Sequence, residues 1–177
     1  MRIGVPKEIK PQENRIGLTP DSVKILVSEG HEVLVEINGG FEAGFDNDQY
    51  KNAGAKIIEK ASDIFNDAEI IVKVKEPQKV EVEMIKENQI VYTYLHLAAA
   101  KELTEGLVKS KSINIAYETI TDDDGRLPLL APMSAVAGRM SVQAGAHCLE
   151  KNQKGRGVLL SGAPGGEPAN VLILGGG

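Results

Sequence analysis

Three charged or titratable side chains follow predicted strands and could act together on a small polar substrate. Arg15 follows the first predicted strand, where a guanidinium can clamp a carboxylate through paired hydrogen bonds. Lys75 lies in the alternating run 72–77, and His96 follows the predicted strand 90–94. An imidazole titrates nearest neutrality, as a general acid or base requires. Ligands of open α/β sheets bind at the carboxyl ends of strands, so the three side chains could converge.

Each of these residues also has an ordinary structural interpretation. Taken singly, Arg15 is a surface arginine, and Lys73 with Lys75 marks the solvated edge of a sheet. His31 is expected to begin a strand at the surface, and His147 to pack along a helix. Neither histidine has metal-ligand spacing from a carboxylate or thiolate, so we predict no essential metal.

A second chemical signal is the apolar run 171–174 followed by three glycines. Gly175 and Gly177 match the first two glycines of the G-x-G-x-x-G fingerprint, of which the first makes a tight turn and the second admits a pyrophosphate. The third glycine, the phosphate-binding helix and the ribose-reading acid would fall past residue 177. We therefore expect these residues to open a nucleotide-binding domain and to be part of a larger enzyme.

The elements that must position these side chains alternate between strands and helices. Strands are predicted over residues 3–6, 33–37, 70–73, 90–94 and 113–117. Helices are predicted over 21–28, opened by Thr19-Pro20 and stopped by Gly30, and over 102–110. This alternation predicts an α/β fold with a doubly wound parallel sheet. The charged runs 81–86 and 122–124 are predicted to be solvated surface, and Asp124-Gly125 a turn.

The composition changes near residue 130. Residues 134–150, rich in Ala, Gly, Val and Met, are predicted to form a long connector helix, and strands are predicted over 158–160 and 171–174. We therefore predict a substrate domain over residues 1–130, then a connector helix and the first strands of a Rossmann-type domain over 131–177.

Composition excludes several classes of protein. Of the 177 residues, 42% are hydrophobic, only 4% are aromatic and none is Trp, which favours a parallel-sheet core of Ile, Val, Leu and Ala. The net charge of −5 comes without a basic stripe, which argues against nucleic-acid binding. Without a signal peptide or a span of ~20 apolar residues, a cytoplasmic protein with no membrane partner is expected. Cys148 is the single cysteine, so no internal disulfide is possible.

Several motifs together resemble the alanine dehydrogenase family, which is related to the alpha subunit of pyridine-nucleotide transhydrogenase. They are IGVPKE at 3–8, ENR at 13–15, GHEVLVE at 30–36, VKEP at 74–77, YLHLA at 94–98, APMS at 131–134 and GRGVLL at 155–160. The resemblance covers essentially the whole sequence. It implies NAD as cofactor, contacted by Ser134 and bordered at its pyrophosphate by Gly175 and Gly177.

The resemblance also implies an activity and roles for the three side chains. It implies interconversion of L-alanine and pyruvate with release or uptake of ammonium. Arg15 would bind the substrate carboxylate, Lys75 the oxo or amino group, and His96 would be the catalytic acid/base. The family's second catalytic residue would lie past Gly177, so these residues alone are expected to be inactive. A homohexamer is implied for the full-length enzyme.

Other functions stay open at this point. The transhydrogenase relatives lack a histidine in this segment, so His96 favours the dehydrogenase over a transhydrogenase-like protein. An amino-acid dehydrogenase with a longer substrate, a non-catalytic subunit that docks on a second chain, and a remnant without function are the further alternatives. The choice between NAD and NADP is open because the ribose-reading acid is outside the sequence.

Overall fold

The structure is a computed structural model that describes residues 1–175. The chain divides into two compact units, Met1–Ile120 and a second that begins at Thr121. The predicted domain boundary near residue 130 falls inside the second unit. None of the helices in the described residues is long and apolar enough to cross a membrane.

Within its described residues the first unit contains one six-stranded sheet, in the order β3-β2-β1-β4-β5-β6, and every pair is parallel. The strands are β1 (Arg2–Val5), β2 (Glu32–Glu36), β3 (Lys56–Ile58), β4 (Ile70–Val72), β5 (Ile90–Thr93) and β6 (Ile113–Ala116). The predicted parallel sheet is confirmed. β3 was not predicted, because its three residues are too few to show a period of two.

The direction of winding reverses at the centre of the sheet. Ile3 of β1 pairs with Val33 of β2 on one side and with Ile70 of β4 on the other. From β1 the strands run to β2 and β3 in one direction, and from β4 to β5 and β6 in the other. The gap between the carboxyl ends of β1 and β4 is therefore the topological switch point, where ligands bind in sheets of this kind.

Helices fill the connections between the strands. They are α1 (Pro20–Ser28), α2 (Asn47–Asn52), α3 (Ala61–Asp67), α4 (Lys79–Val82) and α5 (Lys101–Ser110). The predicted start of α1 is confirmed, since the Thr19 side chain accepts a hydrogen bond from the Ser22 N–H and Pro20 occupies the first turn. Its predicted stop is confirmed as well: Gly30 follows the helix with a φ of 85°.

The central strands of the sheet are buried on both faces, as is typical of a parallel sheet. Val33 and Val35 of β2 pack into one apolar cluster with Val23 of α1, whereas Leu34 between them packs into the other with Phe65 of α3. Successive side chains of a strand point to opposite faces, so one strand serves both clusters. This burial makes the sheet a rigid support for the loops at its carboxyl edge.

The second unit contains one long helix within its described residues, α6 (Ala131–Cys148). It begins three residues before the predicted start and includes Pro132 in its first turn. Proline is tolerated there because the N–H groups of the first turn make no hydrogen bond within the helix. The segments predicted as strands, 158–160 and 171–174, form no ladder within residues 1–175. A strand needs a neighbour to take its hydrogen bonds, and no other extended segment among the described residues of this unit supplies one. The turn predicted at Asp124-Gly125 is confirmed.

Candidate active site

The three predicted site residues follow three adjacent strands of the sheet, β1, β4 and β5. Lys75 lies three positions after β4, and His96 lies three positions after β5. Arg15 lies in the longer loop that joins β1 to α1. All three therefore belong to the carboxyl edge of the sheet, and Arg15 and Lys75 follow the two strands that flank the switch point.

A glycine contact brings the Arg15 loop back to the end of β4. A Cβ built on Gly17 would lie 2.6 Å from the carbonyl oxygen of Val72, the last residue of β4. Ile16, next to Arg15, is buried in the same apolar cluster as Val72. The loop is therefore fixed against β4, and the close approach requires a residue without a side chain.

The Arg15 guanidinium is held by a neighbouring carboxylate. Its Nε donates to Glu13 Oε1 at 2.8 Å and its Nη2 to Oε2 at 2.5 Å, and the Arg15 backbone N–H also donates to Oε1 at 2.9 Å. This bonding lowers the pKa of the Glu13 carboxyl and raises that of Arg15. A guanidinium has five N–H donors, so three N–H groups of Arg15 are left for a ligand.

Lys75 shares its carboxylate neighbours with other cations. Glu13 and Glu76 both lie within electrostatic range of the Lys75 ammonium. Burial raises the pKa of Glu76, but the ion pair with Lys10 and the charge of Lys75 outweigh it, so the net shift is downward. Within residues 1–175 the Lys75 ammonium makes no hydrogen bond or ion pair, and it is half-buried. Its charge is therefore free to meet a polar ligand.

His96 occupies an exposed turn with a left-handed backbone. Its φ and ψ are 52° and 36°, a conformation that costs a non-glycine residue free energy. The Glu118 carboxylate compensates: Oε1 accepts from the His96 N–H at 2.8 Å and from the Leu95 N–H at 3.1 Å. The turn lifts the imidazole out of the core, where it can exchange protons with solvent or a ligand.

Three tyrosines pack together at the ends of β5 and β6. The ring of Tyr117 meets those of Tyr92 and Tyr94 edge to face, with centroids 4.3 and 4.8 Å apart. Burial, together with the two neighbouring tyrosines, raises the pKa of Tyr117, so its hydroxyl stays protonated. Tyr94 is also within electrostatic range of Arg15, which places the Arg15 loop beside the end of β5.

A buried charge cluster joins residues that follow β1 and β4 to α4, and it corrects two predictions. Lys73 has 0% exposure, not the solvated sheet edge expected, because β4 lies between β1 and β5. Its Nζ donates to Glu8 Oε2 at 3.1 Å and to Glu81 Oε1 at 2.8 Å. Glu81 is 2% exposed, so the interpretation of 81–86 as solvated surface is wrong for this residue. Burial raises the pKa of Glu81 against the opposing charge of Lys73.

The roles of Glu8, Glu13, Glu81 and Glu118 do not follow from the sequence pattern. Two signals pointed to the buried cluster: a lysine directly after the apolar run of β4, and a glutamate three positions after β1. Neither identifies its partner, because Glu8 and Lys73 are 65 positions apart. Nothing in the sequence marks Glu118 as the acceptor for the His96 turn.

The predicted cofactor residues lie in the second unit. Ser134 is exposed in the first turns of α6, and its hydroxyl donates to the Leu130 carbonyl at 3.4 Å. Gly175 has a φ of 78°, and among residues 1–175 no atom outside its chain neighbours lies within 4 Å of a Cβ built on it. A left-handed glycine backbone of this kind fits the tight turn of a dinucleotide fingerprint. Gly177 lies outside the described residues.

The remaining histidines and the cysteine do not follow β1, β4 or β5 at the carboxyl ends of these strands. His31 directly precedes β2, and its Nδ1 lies 3.3 Å from the N-terminal nitrogen. His147 and Cys148 are exposed at the end of α6, so the packing role expected for His147 is wrong, and its ring lies 3.4 Å from the Glu150 carboxylate. The run 122–124 is exposed as predicted.

The carboxyl edge thus combines a guanidinium with free donors, a free half-buried ammonium and an exposed imidazole on a rigid sheet. A guanidinium binds carboxylates, an ammonium polarises an oxygen, and an imidazole moves protons at neutral pH. A small 2-oxo or 2-amino acid carries the groups that these three would meet.

Two family descriptions match this chain. The one described as alanine dehydrogenase/PNT, N-terminal domain, matches residues 4–137, and the one described as alanine dehydrogenase/PNT, C-terminal domain, matches residues 141–177. Two curated relatives named alanine dehydrogenase, from Halomonas elongata and Methanococcus maripaludis, are 54% and 52% identical over all 177 residues. The chain spans 48% of the length of each, about half of these relatives.

Solved structures agree with this similarity. A structure named L-alanine dehydrogenase superposes on the whole chain with a TM-score of 0.85 at 53% identity, and the match covers 49% of that protein. A transhydrogenase from Sinorhizobium meliloti matches 85% of this chain and 45% of its own, with a TM-score of 0.74 at 24% identity. The second likeness concerns the fold alone.

Proposed function

Because this chain belongs to the alanine dehydrogenase/PNT family, we propose that it forms the substrate-binding part of an enzyme that deaminates L-alanine oxidatively to pyruvate and ammonium, and catalyses the reverse. The observation that supports this proposal is that Arg15 and Lys75 belong to the loops that follow β1 and β4, the two strands at the switch point. The names and identities of the curated relatives support the same activity.

Arg15 would bind the substrate carboxylate. Glu13 engages Nε and one N–H of Nη2, which leaves the Nη1 edge of the guanidinium for a second, paired contact. Glu13 orients the guanidinium but leaves several of its N–H donors available, and Gly17 fixes the Arg15 loop against β4. The carboxylate of an amino acid or 2-oxo acid would thus be held in one orientation, which is a large part of what an enzyme supplies to a bimolecular reaction.

Lys75 would meet the oxygen or nitrogen on C2 of the substrate. An ammonium beside a carbonyl oxygen stabilises the negative charge that develops when C2 is attacked. The Glu13 and Glu76 carboxylates lie within electrostatic range of this ammonium.

His96 would carry protons between the substrate and solvent. Deamination removes protons from the amino group and from the water that replaces it, and an imidazole can take and return them near pH 7. The exposed left-handed turn keeps the ring of His96 accessible to water, while Glu118 holds its backbone. The imidazole would therefore act from a fixed position.

The cofactor proposed for this reaction is NAD. The open left-handed backbone of Gly175 fits the glycine turn that holds a diphosphate, and the exposed hydroxyl of Ser134 on α6 is available for a further contact. When bound, the nicotinamide would supply the hydride chemistry. The ribose-reading acid would lie beyond residue 177, so the preference for NAD over NADP rests on the family resemblance.

The test is an assay of the complete polypeptide that contains this sequence, purified from its own source. NADH oxidation that requires both pyruvate and ammonium is expected, and slower turnover with larger 2-oxo acids is expected because each extra methylene costs about 1–3 kcal/mol in a fitted pocket. Hydride transfer between two nucleotides without pyruvate would instead identify a transhydrogenase. A preference for a larger 2-oxo acid would identify another amino-acid dehydrogenase.

The intact mass of the purified protein tests how the second half of the enzyme is supplied. A mass about twice that of these residues is expected, because the matching relatives are about twice as long. A mass equal to that of the 177 residues would favour a separate partner chain. We also propose a homohexamer in the cytoplasm, which sedimentation and cell fractionation would test.

A further inference from the structure

Glu8 connects the two strands at the switch point through both of its carboxylate oxygens. It lies three positions after β1 and is 6% exposed. Its Oε1 accepts from the Val74 N–H at 2.6 Å and from the Lys75 N–H at 3.3 Å. A side chain from the end of one strand therefore holds the backbone that follows the neighbouring strand.

Lys73 offsets the free-energy cost of burying the Glu8 carboxylate. Its Nζ lies 3.1 Å from Glu8 Oε2 and 2.8 Å from Glu81 Oε1, and its side chain has no exposure, so it cannot reach a ligand in solution. Buried charges persist only when they are paired and hydrogen-bonded. The cluster holds two carboxylates and one ammonium, so removal of either carboxylate charge leaves a balanced pair.

The Lys75 peptide is held from its other side as well. Thr93, at the end of β5 and with no exposure, donates its hydroxyl proton to the Lys75 carbonyl at 2.9 Å. The N–H and the C=O of Lys75 are thus both bonded to buried side chains from the neighbouring strands. The ammonium of Lys75 makes none of these bonds, so the backbone is anchored while the charge is available.

We infer that Glu8 is a positioning residue, which fixes the Lys75 backbone so that the ammonium stands at the switch point between β1 and β4. The inference rests on the proposed function, in which Lys75 contacts the substrate. Glu8 itself would touch neither substrate nor cofactor. Glu81, which shares Lys73 but makes no bond to Val74 or Lys75, would have no comparable effect on substrate binding.

This difference defines a matched pair of variants, Glu8→Met and Glu81→Met, made in the complete polypeptide. Each removes one carboxylate from Lys73 and replaces it with an unbranched apolar side chain that fills much of the same volume. In Glu8→Met, faster amide exchange at Val74 and Lys75 is expected, with KM for pyruvate raised about tenfold or more, since a small displacement of a substrate-positioning group has effects of this size. In Glu81→Met, both quantities are expected to stay near the wild-type values.

A third variant keeps the test decisive if Glu8→Met does not fold. Glu8→Gln retains a carbonyl oxygen that can accept from both backbone N–H groups, so its exchange and KM are expected to lie nearer to wild type. Circular dichroism identifies a misfolded variant. If Glu8→Met is misfolded, Glu8→Gln is compared with Glu81→Gln. Of these two variants, Glu8→Gln is expected to show the larger rise in KM.

The inference is overturned if Glu8→Met folds and leaves either amide exchange at 74–75 or KM unchanged, or if Glu81→Met reproduces both effects. If Glu8→Met does not fold, the inference is overturned when Glu8→Gln raises KM no more than Glu81→Gln does. The proposed function fails differently, through an unmodified enzyme that does not turn over pyruvate and ammonium. Amide exchange needs no activity, so the two failures are distinguishable.

Discussion

The carboxylate of Glu118 accepts a hydrogen bond of 2.8 Å from the backbone N–H of His96. The same carboxylate accepts a hydrogen bond from the backbone N–H of Leu95, a residue that is 1% exposed. One acidic side chain from just beyond β6 thus stabilises the left-handed turn that presents the proposed catalytic imidazole. The relationship is a tertiary one, since 22 positions separate the two residues.

Replacing Glu118 with leucine is expected to lower kcat by loosening this turn. The Leu95 N–H would lose its partner in a buried place, which costs about 1–3 kcal/mol of stability. Glu118→Gln keeps a carbonyl oxygen and serves as the matched control. Steady-state kinetics and urea denaturation of both variants check this, and equal kcat values for the two would contradict it.

Replacing His96 with glutamine is expected to lower kcat by about a hundredfold or more, because the proton carrier is lost while the turn can be kept. His31→Gln is the control, since His31 precedes β2 and lies away from the carboxyl ends of the strands. The measurement is kcat for pyruvate and ammonium with NADH. Similar kcat values for the two variants would remove His96 from the mechanism.

Arg15→Lys is expected to raise KM for pyruvate by roughly 10- to 100-fold, since an ammonium cannot form the paired contact of a guanidinium and a hydrogen bond to a charged group contributes about 1.5–3 kcal/mol. Arg126→Lys is the control, because Arg126 makes an exposed ion pair with Asp124 in the second unit. Initial rates across pyruvate concentrations give both values. An unchanged KM in Arg15→Lys would reassign the carboxylate-binding group.

Gly17→Ala is expected to destabilise the fold by about 1–3 kcal/mol, because the new methyl group would lie against backbone that cannot move aside. The nearest atom is the Val72 carbonyl oxygen, 2.6 Å from the Cβ position. In Gly138→Ala the new methyl group would meet no atom of residues 1–175 within 4 Å outside its own helix, so this variant is expected to stabilise α6 instead. Denaturation curves for both variants test the sign of each effect.

The ion pairs of Glu32 predict a dependence of stability on acid pH. Hydrogen bonds from Lys56 and Arg2 lower the pKa of this carboxyl from 4.5 to about 2. The unfolded chain therefore binds the proton at a higher pH than the folded one, so the contribution of Glu32 is present above pH 4.5 and is lost as the pH falls towards 2. The gap in urea midpoint between wild type and Glu32→Gln should shrink over that range, and a gap that stays constant or widens would count against the assignment.

The sequence by itself determined the alternation of strands and helices, and with it the parallel sheet. Apolar runs of four or five residues, separated by segments of helical period, predict parallel strands. Such strands need no alternation of apolar and polar side chains, because both faces of a parallel sheet are buried. The chemical types of Arg15, Lys75 and His96, each placed after a strand, followed from the same local patterns. Side-chain chemistry and local period are properties of neighbouring residues, so they can be read along the chain.

Only the tertiary structure decided which charged residues are buried and what holds the site together. Lys73 and Lys75 are alike in sequence, yet Lys73 is enclosed by Glu8 and Glu81 while Lys75 is free. The residues 158–160 and 171–174 have strand composition but pair with no other strand within residues 1–175, because backbone pairing requires a neighbour. Burial and pairing depend on partners that lie far apart along the chain, which no local pattern of residues specifies.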